Sequence, residues 1–205
     1  MKNTIKFPLL FALISSLFFL TSCGSEDEVV GGGDPVDPPV AVTTYSARLL
    51  AAPLGDETSS TFMTFYNNTI HKINEASTTG SSWDFGYFYG TSRKASFASV
   101  KNYPTDVFDL TEIADADKKE CFFAKSTVLT AADFDAITLE SELNSVAKPT
   151  TQSVTGLNVG DVIEFQDSYD NKGLIKITRI VEGNGANGQI EFDVKIQINN
   201  IPVQS

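Results

Sequence analysis

A single histidine, His71, stands in this chain of 205 residues. One imidazole excludes every site that needs two, including His-Glu-x-x-His zinc helices, two-histidine zinc centres and bis-histidine haem ligation. Ser-His-Asp or Cys-His chemistry would have to run through His71, and no Gly-x-Ser-x-Gly elbow offers it a serine. A hydrolase assembled from distant residues stays open as an alternative, but the expectation is that the chain is not an enzyme. In Thr69-Ile70-His71-Lys72-Ile73 the alternation puts His71 on the face opposite Lys72, where a surface or interface role is expected.

Carboxylates are abundant but poorly arranged for a metal. Asp167-Ser168-Tyr169-Asp170-Asn171-Lys172-Gly173 offers oxygen ligands and a glycine. Calcium wants six to eight oxygens in a defined order, and Tyr169 and Lys172 interrupt that order with no bidentate Glu after them. A hairpin turn is expected there, and no metal or cofactor. Asp106, Asp109, Glu112, Asp115 and Asp117 read as a solvated face. Cys121, within Glu120-Cys121-Phe122-Phe123-Ala124, reads as a buried, unreactive thiol.

The most suggestive constellation is aromatic. In Trp83-Asp84-Phe85-Gly86-Tyr87-Phe88-Tyr89-Gly90 a period of two sets Trp83, Phe85, Tyr87 and Tyr89 on one face. Exposed, these four rings are a candidate platform for a sugar or a flat cofactor; buried, they fill a core. The stretch Ser82-Trp83-Asp84-Phe85 with Tyr87 and Phe88 resembles the Ser-Trp-Asp-hydrophobic pattern of β-rich haem-scavenging lipoproteins of the Bacteroidota. That resemblance implies histidine or methionine as iron ligands, and beyond the amino-terminal segment this chain has only His71 and Met63.

Strands must position these residues. Ile190, Phe192, Val194, Ile196 and Ile198 alternate with polar residues as a half-buried antiparallel strand. Asp161 to Phe165 and Gly173 to Val181 complete a three-stranded meander through turns at Ser168 to Lys172 and Glu182 to Gly188. Tyr45 to Ala52, Thr61 to Tyr66 and Thr69 to Ile73 are further strands, the last two joined by a tight turn at Asn67-Asn68. Thr130-Ala131-Ala132-Asp133 opens a helix over Thr130 to Ile137 that Thr138 to Val146 continues until Lys148-Pro149 stops it. The fold class expected is mainly β, an antiparallel sandwich or strongly curved sheet with a short helical insertion, with α+β as the alternative.

Lys2 and Lys6 precede the apolar run Phe7 to Leu20, which has the form of a signal peptide. The run falls short of the roughly 20 apolar residues a spanning helix needs. Leu20-Thr21-Ser22-Cys23 resembles the bacterial lipobox, which implies cleavage after residue 22 and acylation of Cys23. Two or more acyl chains, palmitate among them, anchor stably where one binds only marginally. The acidic cluster Gly24-Ser25-Glu26-Asp27-Glu28 resembles the surface-export signal of Bacteroidota lipoproteins, which implies an outer-membrane, cell-surface location. A Gly/Pro-rich tether then runs to Val42, so the expected organisation is a signal peptide over 1–22, a lipidated tether over 23–42 and one globular domain over 43–205.

Lys2 and Lys6 are two of the 15 basic residues, so the chain without its signal carries 13 against 26 acidic ones. Nucleic acid is an unsuitable partner for such a charge, and membrane attachment must rest on the lipid at Cys23. With Cys23 acylated, Cys121 has no intrachain disulfide partner. The layout as a whole resembles the small Bacteroidota outer-membrane lipoproteins of unknown function. Three functions follow in order: a non-catalytic binding domain for glycan, haem or another nutrient; a structural or accessory lipoprotein contacting an envelope protein; and a hydrolase.

Overall fold

The computed structural model describes residues 38–53, 57–185 and 187–199. The signal segment, Cys23 and the tether as far as Asp37 lie outside the described residues. The chain is already pinned before Thr43: the Val42 amide donates to the Thr138 carbonyl and the Glu140 amide to the Val40 carbonyl, each at 2.9 Å.

Among the described residues ten strands form two antiparallel five-stranded sheets, neither of them closed. In chain order the strands are β1 (Thr43–Ala51), β2 (Ser60–Thr64), β3 (Thr69–Lys72), β4 (Phe85–Gly90), β5 (Lys94–Ser99), β6 (Phe122–Lys125), β7 (Ser153–Val154), β8 (Val162–Gln166), β9 (Lys172–Val181) and β10 (Gln189–Gln197). The first sheet has the order β1-β10-β9-β8-β6 and the second β3-β2-β4-β5-β7. Strand accounts for 40% and helix for 16%, which settles the class as mainly β against α+β. The expected carboxyl-terminal meander is present as β8-β9-β10, with Ile175 opposite Val194 and Ile177 opposite Phe192.

Three hydrophobic layers hold the sheets. Between them Phe85, Tyr87 and Phe97 of the second sheet meet Phe165, Ile175, Phe192 and Val194 of the first. Phe65, just after β2, stacks on Phe165 across the gap with ring centroids 4.0 Å apart. A second cluster joins Phe62, Trp83, Phe88 and Ala98 to Tyr103, Leu110 and Ile113. A third sets Val162 and Leu174 against Phe134, Ile137, Leu143 and Val146. Strand β4 therefore contributes to two clusters, which is why its hydrophobic run is nearly continuous rather than alternating.

The helical insertion is shorter than its sequence pattern. Helix α1 (Ala76–Thr79) is a single turn and α2 spans Ala131–Ala136. The Thr130 hydroxyl accepts from the Asp133 amide while the Asp133 carboxylate accepts from the Thr130 amide, a reciprocal cap. The expected continuation over 138–146 is a 3₁₀ turn, Glu140–Ser145. Lys195 of β10 explains the stop after α2, because its Nζ donates to the carbonyls of Phe134, Asp135 and Ile137 at 2.8, 3.1 and 2.5 Å.

One side of the sandwich is sealed by the segment 151–157. The Phe123 amide donates to the Thr151 carbonyl at 2.7 Å on the first sheet, and the Ser99 amide to the Gln152 carbonyl at 2.8 Å on the second. The Leu157 amide then donates to the Ala95 carbonyl at 2.9 Å. This seam carries Leu157, Asn158 and Val159 to the mouth between the sheets, beside the end of β4.

Candidate ligand-binding cleft

The aromatic residues singled out in sequence are buried. Trp83, Phe85 and Tyr87 are 0% exposed and Tyr89 is 9% exposed. They do not share a face: Phe85, Tyr87 and Tyr89 belong to the inter-sheet core, while Trp83 stacks on Phe62 at 4.4 Å in the second cluster. Trp83 precedes β4, and β4 begins only at Phe85, so the period of two does not extend back to it. In this conformation the four rings offer no open stacking platform. Tyr89, at the carboxyl end of β4, is the one that reaches a cleft.

His71 is 5% exposed, so the expected surface role does not match its place in the fold. Its partner in the β2–β3 hairpin is Phe62, and its ring lies 5.8 Å from that of Trp83. The surroundings imitate a hydrolytic triad: Nε2 is 2.9 Å from the Thr64 hydroxyl and Nδ1 is 3.8 Å from the Glu75 carboxylate. The hydrogen-bond directions oppose that chemistry. The Thr64 hydroxyl donates its proton to the Ser82 carbonyl at 2.8 Å, so His71 donates to Thr64 instead of accepting from it. A nucleophile must give its proton to the base, and Thr64 is 0% exposed. Burial also pushes the His71 pKa below its ordinary value, which holds the imidazole neutral. Met63, the other iron ligand implied by the haem resemblance, is 0% exposed.

A second polar cluster closes one end of the inter-sheet core. Asp84 is buried, with Oδ2 accepting from the Phe65 amide at 2.6 Å. Burial drives its pKa up to about 7, against the pull of Lys119 and the Phe65 amide. The Asp167 carboxylate accepts from the Tyr169 and Asn171 amides and from the Asn171 side chain, each at 2.9 Å. The turn that faintly suggested calcium thus spends this carboxylate on itself. Cys121 is buried, and burial followed by Asp84 and Asp167 holds its thiol protonated. Among the described residues no group of three or more His, Cys, Asp or Glu is placed to hold a metal ion.

What the fold does assemble is a cleft of about 330 Å³ at the mouth between the sheets. Tyr89 and Lys94 come from the β4–β5 hairpin, Leu157 from the sealing segment with Asn158 and Val159 just after it, and Ile180 and Glu182 from the end of β9 and just past it. Nζ of Lys94 lies 6.0 Å from the centroid of the Tyr89 ring. The Glu182 carboxylate beside the Tyr89 hydroxyl, together with burial, raises the Tyr89 pKa. Among the described residues neither Lys94 nor Glu182 is within ion-pair distance of an opposite charge. Lys94, Asn158 and Glu182 carry no local sequence motif. They meet because the hairpin, the seam and the end of β9 converge, although a hairpin reading of Gly90 to Lys94 would have placed Lys94 beside Tyr89.

No protein-family model matches the chain, and no curated protein matches it. Among solved structures it is similar to a DUF4466 family protein from Parabacteroides merdae ATCC 43184, with 10% sequence identity and a TM-score of 0.52. The alignment covers 76% of this chain and 53% of that one, so the chain spans about half the length of its neighbour. At that identity the likeness is one of fold, and it is to a protein of the Bacteroidota.

Proposed function

We propose that this chain is a lipoprotein of the Bacteroidota type, anchored in the outer membrane through Cys23 and facing the cell surface, whose β-sandwich is a non-catalytic binding domain. The observation that carries the binding role is the cleft between Tyr89, Lys94 and Glu182, where two oppositely charged side chains flank one cavity without pairing to each other. At about 330 Å³ it sits at the lower end of the range of small-ligand sites. The lipobox at Leu20 to Cys23, the acidic residues Glu26 to Glu28 and the Gly/Pro tether support the address. The buried, hydrogen-bonded state of His71 and the protonated thiol of Cys121 favour binding over hydrolysis.

Cells producing the full chain in the presence of alkynyl palmitate test the anchor. The wild type is expected to take up the label and partition into the detergent phase, and Cys23→Ala to lose both. A wild type without label, or a variant still retained in membranes, overturns the anchor. Digestion of the domain by protease added to intact cells is expected for a surface location, and protection overturns it.

A further inference from the structure

The cleft's chemistry points to a particular class of ligand. Its two charged groups, Lys94 and Glu182, are of opposite sign, so together they favour neither an anion nor a cation. Hydrocarbon from Leu157, Val159 and Ile180 lines the same space, and Val159 stands 61% exposed at its rim. Two residues before Tyr89 in β4, the Tyr87 hydroxyl is buried, and among the described residues no group hydrogen-bonds it. It lies near enough to Tyr89 and Glu182 that both add to the effect of burial on its pKa. A buried hydroxyl left without a partner is costly, and this one belongs to the residue two before Tyr89, which lines the cleft.

Lys94 adds an independent observation. Its φ is +56°, in the left-handed region where a hairpin of this length favours glycine. A long cationic side chain is therefore held at a position where local backbone energetics prefer none, and it projects at the cleft. Strain of this kind is a pointer to function when the outlier itself is observed.

We propose that the cleft bounded by Tyr89, Lys94, Asn158 and Glu182 binds a neutral polyhydroxylated ligand, a mono- or disaccharide; this rests on the binding-domain reading above. Sugar hydroxyls are both donors and acceptors, so they satisfy the acceptor-only Glu182, the donor-only Lys94 and the amphoteric Tyr89 hydroxyl without carrying net charge. The C–H face of a pyranose lies against Leu157 and Val159. A carboxylate that accepts two adjacent hydroxyls supplies the discrimination, because a site built to hydrogen-bond a hydroxyl rejects analogues lacking it.

Saturation-transfer NMR on the detergent-solubilised full-length protein tests this with glucose, galactose, mannose, N-acetylglucosamine, maltose and cellobiose as probes, and with glycine and leucine as zwitterionic controls. At least one sugar is expected to receive saturation. Glu182→Gln is expected to weaken that binding at least about tenfold, and Tyr89→Phe by a few-fold, with melting temperatures unchanged. Four results overturn the proposal: no transfer to any sugar at about 10 mM, a range that still detects millimolar affinity; transfer unaffected by Glu182→Gln; transfer to the zwitterions alone; or binding equally weakened in a distant surface variant such as Glu112→Gln. Sugar binding by an unlabelled chain would sink the lipid anchor alone, and a labelled chain that binds no sugar would sink this inference alone.

Discussion

Lys119 reaches across the end of the sandwich to Asp84, its Nζ 4.0 Å from Oδ1, while the same amine donates to the Ser82 carbonyl at 3.2 Å and lies 4.7 Å from the centroid of the Tyr169 ring. The pair joins the entry to β4 with the segment before β6, and so ties the two sheets. Among the described residues Oδ1 of Asp84 receives no hydrogen bond, so the amine compensates the buried carboxylate at a distance rather than by contact. That is the arrangement in which a carboxyl favours its neutral form.

Asp84 therefore sets a pH dependence whose sign follows from linkage. Its folded pKa of about 7 lies above the ordinary 3.8, so between these values the folded chain binds more protons than the unfolded chain. The contribution from Asp84 is fully present below about pH 4 and is lost as pH rises to 7. Urea melts from pH 4 to 8 are expected to show a shallower loss of stability across that window in Asp84→Asn than in wild type. Parallel slopes would show that Asp84 does not titrate in the folded protein.

His71 acts with the opposite sign. Burial depresses its folded pKa below 6.5, so the unfolded chain binds the extra proton and stability is lost as pH falls below 6.5. Thr64→Val leaves the His71 Nε2–H buried without its acceptor and also deletes the donor to Ser82. The variant is expected to lose about 1–3 kcal/mol at pH 8 by chemical denaturation. A loss of only a few tenths would mean that water replaces Thr64.

Cys121 should be silent to thiol reagents until the sandwich opens. It is buried, and its thiol is held well above the ordinary pKa by burial, Asp84 and Asp167. Ellman's reagent added to the native protein is expected to react at the rate of global unfolding, and at once in denaturant. Rapid native labelling would place Cys121 in a locally opening segment.

The residues that were legible in the sequence are those whose burial is one-sided. In β10, Ile190, Phe192, Val194 and Ile196 face the inter-sheet core and alternate with polar neighbours, so a period of two announces them. Strand β5, Lys94–Ser99, is built of small residues around a single Phe97 and gives no such period; its pairing with β4 makes it a strand. Strand β7 has two residues and exists only through its register with Phe97 and Ala98. His71 deceived because its face of the hairpin is covered by the cluster around Trp83 and Phe62, a contact that local alternation cannot report. The cleft was legible only at Tyr89, since its other polar residues come from three separate segments.

Two strand glycines leave no room for a side chain, and they should differ in tolerance. A Cβ on Gly173 would stand 2.5 Å from the Lys195 carbonyl oxygen on the neighbouring strand β10, as well as against the Phe165 ring. The atoms nearest a Cβ on Gly86 are ring atoms of Phe62 and Tyr103, at 2.5 and 2.8 Å. Backbone cannot swing away, whereas rings shift at some cost. Gly173→Ala is expected to lose about 3 kcal/mol in chemical denaturation, and Gly86→Ala less. Equal losses would show that β9 and β10 separate as easily as the rings move.

Lys94 offers a test in which function and stability move in opposite directions. Its φ of +56° closes the hairpin from Gly90, and an L-residue there costs roughly 1–2 kcal/mol relative to its preferred backbone. Glycine removes that penalty but adds unfolded-state entropy, roughly 0.5–1 kcal/mol of it. Lys94→Gly is therefore expected to gain about 0.5–1 kcal/mol in stability while losing sugar binding at the Tyr89 cleft. Lys94→Met, which keeps the bulk and the backbone strain, should lose binding without the gain. If Lys94→Gly is less stable than wild type, the side chain is holding the hairpin through its contact with Tyr89, and the strain at this position is structural.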